Sequence, residues 1–406
     1  MYNLDNFLTA VAKPNRNRKE VEKMKIWKKS AMMAAVAVMM TSSAFADVKV
    51  GACFEYTGGV AMYGNHISQG FELAAKEINE KGGLWGKEKI VLVKADTKSE
   101  PGEAGNAMTK LVFQERVVAV CGPATTGNVM ATTPITFGAK IPQIAPSATG
   151  ETVTLQKDGS VNPMMFRACF IDPFQGSVMA KFAVKNKGTK KVAIYMDKSS
   201  DYAKGLAANF EKTLRSLGGK VVATEAYLAK DVDFKAALTR LKATNPEAIY
   251  VPGYYEEVSK IIKQARELGI NVPLYGGDGW ESPVLAEIAG KAALKNCYYV
   301  SAFSSDDPDP SIRTFMKTYS NWKGEEADVF VQQGYNAGKV LFDAIERAGK
   351  GAKGVDVAKA MAATQNLPIA GGKLSYDARH NPVMPGLIID LSSGSGKLAA
   401  KVEMEL

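Results

Sequence analysis

Residues 48–93 read VKVGACFEYTGGVAMYGNHISQGFELAAKEINEKGGLWGKEKIVLV. The first seven alternate and are rich in β-formers, which predicts a strand over 48–54. A helix follows over 66–80, because Ile67, Phe71, Ala74, Ala75 and Ile78 fall on one face at helical spacing. Lys81-Gly82-Gly83 stops it, and 89–93 is apolar again. Strand, helix and strand in so few residues make one βαβ unit, and such units build parallel sheets covered by helices on both faces.

The same alternation runs outward. A helix with Pro101 at its start is expected over 101–114, a strand over 117–121, a helix over 128–137 and a short strand over 143–145. A second set begins near Arg167, with helices over 176–187, 202–217, 234–243, 255–268 and 282–289. Its strands are expected over 191–196, 220–227, 248–251, 272–275 and 297–300. Three helices (310–322, 329–348, 355–364) and a hairpin-like tail over 372–402 complete the chain. No repeat of 20–50 residues is visible, which excludes a solenoid. Two similar α/β lobes joined by short crossings suit 406 residues.

Composition excludes other classes. With 46% hydrophobic and 23% charged residues, the chain is neither disordered, collagen-like nor a multi-span membrane protein. The net charge of +9 invites a nucleic-acid partner. Five of those charges, however, fall in residues 1–46. The remaining basic residues are scattered rather than clustered with aromatics, so no nucleic acid is expected.

The first 46 residues read as targeting. Residues 24–29 (MKIWKK) are a basic start, 31–40 a ten-residue apolar run, and Ala44-Phe45-Ala46 a small-x-small cleavage site. This is a secretory signal peptide over 24–46, cut after Ala46, and its apolar run is too short to span a bilayer. Residues 1–23 read as an untranslated or disordered extension. Val50-Gly51-Ala52-Cys53 has a lipoprotein-like look, but Asp47 and Lys49 separate it from the apolar run. A soluble periplasmic protein is therefore expected, not one anchored at Cys53. Cys53, Cys121, Cys169 and Cys297 all sit in apolar runs and read as buried free thiols. No CxxC spacing suggests a metal or redox site.

In open α/β sheets, ligands bind beyond the carboxyl ends of the strands. Tyr63 follows the first strand, and Gly122-Pro123-Ala124-Thr125-Thr126-Gly127 opens a helix after the third. Pro146-Ser147-Ala148-Thr149 follows the fourth. These hydroxyls and the free helix N-terminus suit an anion such as a carboxylate. In the second set, Tyr202, Gly253-Tyr254-Tyr255 and Gly276-Gly277-Asp278-Gly279-Trp280 follow strands. A carboxylate among aromatics suits an ammonium, so a small zwitterion held between two lobes would satisfy both halves. His66 and His380 lack neighbouring nucleophile patterns. Residues 349–354 match GxGxxG, but they follow a helix rather than a strand and so lack the dinucleotide context.

At these same loops the chain resembles the periplasmic binding proteins of branched-chain amino-acid ABC transporters, the leucine/isoleucine/valine-binding family. The resemblance covers residues 47–406. It rests on Val48-Lys49-Val50-Gly51 through Tyr63-Gly64, the helix end over 77–83, Gly122-Pro123, Ala145-Pro146-Ser147-Ala148-Thr149 and Phe166-Arg167. Asp172-Pro173-Phe174-Gln175-Gly176, Tyr202-Ala203-Lys204-Gly205 and Gly277-Asp278-Gly279 carry the rest.

The resemblance implies an α/β, type I periplasmic binding protein fold of two lobes. Each lobe would have a mainly parallel sheet flanked by helices, and a three-stranded hinge would join them. The lobes would comprise 47–167 with 302–377, and 168–301 with 378–406. The implied function is non-enzymatic capture of a free amino acid by a monomer that delivers it to an ABC transporter permease, without a cofactor. Thr126, with Ser147 and Thr149 contributing through side chain or backbone, would hold the ligand carboxylate, Asp278 would hold its ammonium, and Thr125 and Ala148 would line the site. Tyr63, Tyr202, Tyr254 and Phe330 would form aromatic walls, and Trp280, beside Asp278, is expected to contact the ligand side chain with Tyr254 and set its size limit. The family often has Ser where Thr126 stands and Glu where Asp278 stands. The shorter acid and the neighbouring indole admit larger or aromatic amino acids alongside branched ones. The alternatives are a sensor for an amide, a short peptide or another small organic acid and, more remotely, an enzyme.

Overall fold

The structure is a computed structural model that describes residues 47–402; the expected signal peptide lies outside them. Strand β1 (Val48–Phe54) runs parallel to β2 (Ile90–Asp96), with Val48 beside Ile90 and Phe54 beside Asp96. Helix α1 (Ala61–Glu80) joins them and buries Ile67, Phe71 and Ala74. It starts earlier than its apolar stripe suggests, because its first turn buries Tyr63 and Gly64 instead. The rest of this sheet is α2 (Pro101–Thr109), continued by a wide turn over Lys110–Gln114, then β3 (Val120–Cys121), α3 (Thr126–Ala139), β4 (Gln143–Ala145) and β5 (Met165–Arg167). Its strand order is β2-β1-β3-β4-β5, all parallel. Cys53 is fully buried within β1.

The second sheet follows the same logic. Its elements are α4 (Asp172–Lys181), β6 (Lys191–Asp197), α5 (Asp201–Ser216), β7 (Lys220–Tyr227), α6 (Lys235–Ala243), β8 (Ala248–Tyr250), α7 (Tyr255–Glu267), β9 (Leu274–Gly276), α8 (Pro283–Ala289) and β10 (Cys297–Ser301). Then come α9 (Pro310–Lys323), α10 (Val329–Ala348), α11 (Gly354–Ala362), β11 (Leu367–Ile369), β12 (Gly372–Leu374), β13 (Gly386–Asp390) and β14 (Lys397–Val402). The order is β14-β13-β10-β9-β8-β6-β7, with β13 antiparallel to β10 and to β14. The expected tail hairpin is thus two separate pieces. β12 pairs with β11, while β13 and β14 extend the second sheet. Pro382 and Pro385, which cannot donate to a ladder, lie between the pieces.

Helix α10 follows the second sheet's parallel strands in sequence yet packs against α1, β3 and β4 of the first. Two glycines permit the approach. A Cβ on Gly70 would lie 1.9 Å from the Val331 carbonyl oxygen, and one on Gly334 would lie 2.0 Å from that of Ile67. The chain therefore crosses between the sheets three times, through 168–171, 302–309 and 375–385. Where the resemblance implies a three-stranded hinge, these crossings lack regular strand pairing.

Candidate ligand-binding site

Strand order reverses between β1 and β3 in the first sheet and between β6 and β8 in the second. At such points successive crossovers leave toward opposite faces, and a crevice opens beyond the strand ends. Both crevices contribute to one cavity. It is lined by Tyr63, Ala124, Thr125, Thr126, Ser147, Thr149, Tyr202, Tyr254, Asp278, Gly279 and Phe330.

The first wall is organised by Glu55, which the sequence reading missed. It follows β1 immediately and is fully buried. Its carboxylate accepts from the Ala124 and Thr125 N–H groups at 2.9 and 3.2 Å, from the Thr125 hydroxyl at 3.1 Å and from Asn128 Nδ2 at 2.8 Å. Burial raises its proton affinity, and these donors oppose that rise. The bonds clamp the β3–α3 loop, and they also commit the Thr125 hydroxyl proton to Glu55.

The Ser147 hydroxyl proton is committed too, since it donates to the Ala124 carbonyl at 2.8 Å. The Thr149 hydroxyl is buried and leans toward Asp172 without a well-formed bond. Thr126 differs. Its Oγ1 accepts from the Gly150 N–H at 3.2 Å, which leaves its own proton free to donate. Thr126 also opens α3, where the first N–H groups have no intrahelical partner. This wall can therefore receive a small anion, with Thr126 as its hydroxyl donor.

The second wall centres on Asp278, 6% exposed, in a tight turn after β9. Its Oδ1 accepts from the Tyr202 hydroxyl at 2.8 Å and from Gln175 Nε2 at 3.0 Å. The Tyr202 oxygen in turn accepts from the Gly279 N–H at 2.9 Å. Burial raises the Asp278 pKa to about 6, so at neutral pH it is an anion with little solvent around it. The flanking glycines make room for these partners. A Cβ on Gly277 would meet the Tyr202 hydroxyl at 2.7 Å and Gln175 Oε1 at 2.9 Å.

Aromatic rings close the space between the walls. Tyr202 stacks on Tyr254 at 5.1 Å, and Tyr63 stacks on Phe330 at 4.2 Å. The Tyr63 hydroxyl also donates to the Gly279 carbonyl at 2.6 Å, tying α1 of the first sheet to the Asp278 turn of the second.

Two of the expected contacts do not line this cavity. Ala148 is buried, and its carbonyl accepts from the Arg167 guanidinium at 3.1 Å. Trp280 is 1% exposed and faces away, with its indole N–H donating to the Val251 carbonyl at 2.9 Å. Its ring fills the space over Gly276, where a Cβ would lie 2.1 Å from it, and its other face borders a separate groove with Pro283 and Tyr299. Adjacency to Asp278 suggested a wall, but the tight turn sends the two side chains in different directions. Trp280→Phe should therefore cost about 1–3 kcal/mol of stability through the lost hydrogen bond and packing. The rank order of ligands should not change. A changed rank order in calorimetry would return the indole to the site.

His66 Nδ1 lies 2.6 Å from Asp328, and His380 stacks on Phe166. All four cysteines are buried and free. Among the described residues, no group of three or more His, Cys, Asp and Glu side chains could hold a metal ion.

A model of the periplasmic binding protein family matches residues 47–395. The Leu/Ile/Val-binding protein BraC3 of Rhizobium johnstonii is 33% identical over 345 residues, 84% of this chain and 91% of that protein. Two solved structures are similar as well. The leucine-binding protein LivK of Thermotoga maritima has a TM-score of 0.82 at 33% identity, covering 88% of this chain and 99% of its own. The branched-chain amino acid transporter substrate-binding protein LivJ of Streptococcus pneumoniae, in complex with isoleucine, has a TM-score of 0.80 at 35% identity, with the same coverage.

Proposed function

We propose, since the chain belongs to the periplasmic binding protein family, that its cavity takes one free amino acid for an ABC transporter. Solute binding for such a transporter is the function class of its relatives, and the family is extracytoplasmic. The observation that carries the reading is the polarity of the cavity. A hydroxyl donor at a helix N-terminus faces a buried carboxylate across aromatic rings. A carboxylate and an ammonium on one small ligand match both poles.

The finer points are these. Thr126 holds the carboxylate, with support from the backbone at Ser147 and Thr149. Asp278 holds the ammonium, and Tyr63, Tyr202, Tyr254 and Phe330 enclose the side chain. One lobe comprises 47–167 with 302–377, and the other 168–301 with 378–406. A ligand touching both lobes stabilises their closure, and the closed form engages the permease. The protein acts as a monomer, without catalysis, after cleavage behind Ala46.

Calorimetry with the twenty common L-amino acids tests the reading. One site per chain should appear, filled best by a branched or larger apolar amino acid and leaving the ligand chemically unchanged. Intact mass of the exported protein should match a start at Asp47. Binding of carboxylic acids without an ammonium, and of no amino acid, would overturn the assignment.

A further inference from the structure

Behind Asp278 lie buried polar side chains that do not line the cavity. Gln175, on α4, is fully buried. Its Nε2 donates to Asp278 Oδ1 at 3.0 Å, and its Oε1 accepts from the Asp278 N–H, also at 3.0 Å. The amide thus grips residue 278 by side chain and backbone together. With Tyr202 donating to the same oxygen, Oδ1 is turned into the protein. No side-chain donor is seen on Oδ2 among the described residues, the Gly279 and Asp278 backbone N–H groups also favour the charged carboxylate, and Asp278 lines the cavity. Nε2 also lies 3.3 Å from Oδ1 of Asp172, a fully buried carboxyl whose Oδ2 has no hydrogen-bond partner.

We propose that Gln175 is a positioning residue that holds Asp278 Oδ1 inward, so that Oδ2 is presented to the ligand ammonium. This rests on the amino-acid reading of the cavity. The chemistry is that of a donor placed between two acids. Donation to the Asp278 carboxylate favours its charged form, and removing the donor makes the proton harder to lose.

The surroundings make the effect readable. Three carboxyls share this side of the site, Asp172 and Asp278 buried and Glu281 half-buried, and loss of solvent raises Asp172 and Glu281 to about 8 but Asp278 to only about 6. Between those values, Asp278 is the carboxyl that ionises first. The phenols of Tyr63, Tyr202, Tyr250 and Tyr254 and the Cys169 thiol also face it. Burial raises all of them, so they stay neutral in this range. The field of the buried Arg167 guanidinium, which donates to the Ala148 and Gly150 carbonyls, favours the Asp172 anion, and although burial lowers its proton affinity the guanidinium keeps its charge. The ligand ammonium needs the Asp278 anion, so affinity should fall as pH drops through about 6.

The test is calorimetry from pH 5 to 8 with the tightest-binding common L-amino acid. Gln175→Met keeps the volume without the donor. Gln175→Glu keeps an acceptor for the Asp278 N–H but adds a third acid beside the pair. At pH 7, Gln175→Met should bind about 10- to 100-fold more weakly, the scale of a hydrogen bond to a charged group. Its loss of affinity on acidification should begin roughly one pH unit higher than in wild type, and that of Gln175→Glu higher still. Melting without ligand identifies which variants fold. A folded variant with wild-type affinity and an unshifted acid limb overturns the proposal. So does a weakening that is equal at every pH, because that is a packing effect. If the wild type binds no amino acid, the cavity reading itself fails. If the wild type binds and both variants match it, only the role of Gln175 falls.

Discussion

Asp278→Asn should bind amino acids roughly 30-fold to several-thousand-fold more weakly than the wild type at pH 7, yet fold normally. The range follows from the ~2–5 kcal/mol cost of removing one partner of a buried charge pair, at ~1.4 kcal/mol per tenfold. The substitution is nearly isosteric. The Asn oxygen can keep the Tyr202 and Gln175 bonds that Asp278 Oδ1 now accepts. Its amide nitrogen then faces the cavity, where it offers hydrogens to an ammonium. Stability should move the other way. Asp278 has a folded-state pKa raised to about 6, and the protonated form is the one burial favours. Its contribution is therefore full below the ordinary carboxyl range and is lost as pH rises through about 6. At pH 7 the unliganded wild type carries that cost, and the Asn variant does not. Thermal melts without ligand should show the variant at least as stable. Wild-type affinity in the Asn variant would mean that no ammonium sits here.

Glu55→Ala carries the second large effect. It strands the buried Ala124 N–H and Asn128 amide and the half-buried Thr125 N–H, which now share one carboxylate. Each buried donor left unpaired costs about 1–3 kcal/mol, less whatever entering water recovers. A net loss on the order of 3 kcal/mol is expected in urea denaturation. Ligand affinity should fall as well, because the loop that presents Thr126 loses its anchor. Glu55→Gln should lie between, since its amide offers one acceptor and two donors to a site that needs acceptors. Stability within about 0.5 kcal/mol of wild type in Glu55→Ala would show that the loop is held by other means.

Much of this architecture is written in local pattern. Val48–Phe54, Lys220–Tyr227 and Val329–Ala348 end where periodicity predicts, because burial on one face or both leaves a regular apolar signal. Strand ends also pointed to the cavity. Thr125, Thr126, Ser147, Tyr202, Tyr254 and Asp278 stand there because a parallel sheet gathers the loops after its strands along one edge. Side-chain direction is hidden from the sequence. Trp280 adjoins Asp278 in the chain, but the turn over Asp278–Trp280 aims its ring at Gly276 and Val251. Supporting residues are hidden for another reason. Glu55 and Gln175 act across 69 and 103 residues, and nothing near either one in sequence announces a partner that distant. A polar residue closing an apolar strand, as Glu55 does, was the one signal available.

The central claim is that one ligand bridges the two poles of this cavity. A crystal structure of the protein with its tightest-binding amino acid tests it most directly. The ligand carboxylate should lie at the Thr126 hydroxyl and the N-terminus of α3. Its ammonium should sit about 3 Å from Asp278 Oδ2, with its side chain among Tyr63, Tyr254 and Phe330. A ligand found outside this cavity, or one that turns its carboxylate toward Asp278, would contradict the account.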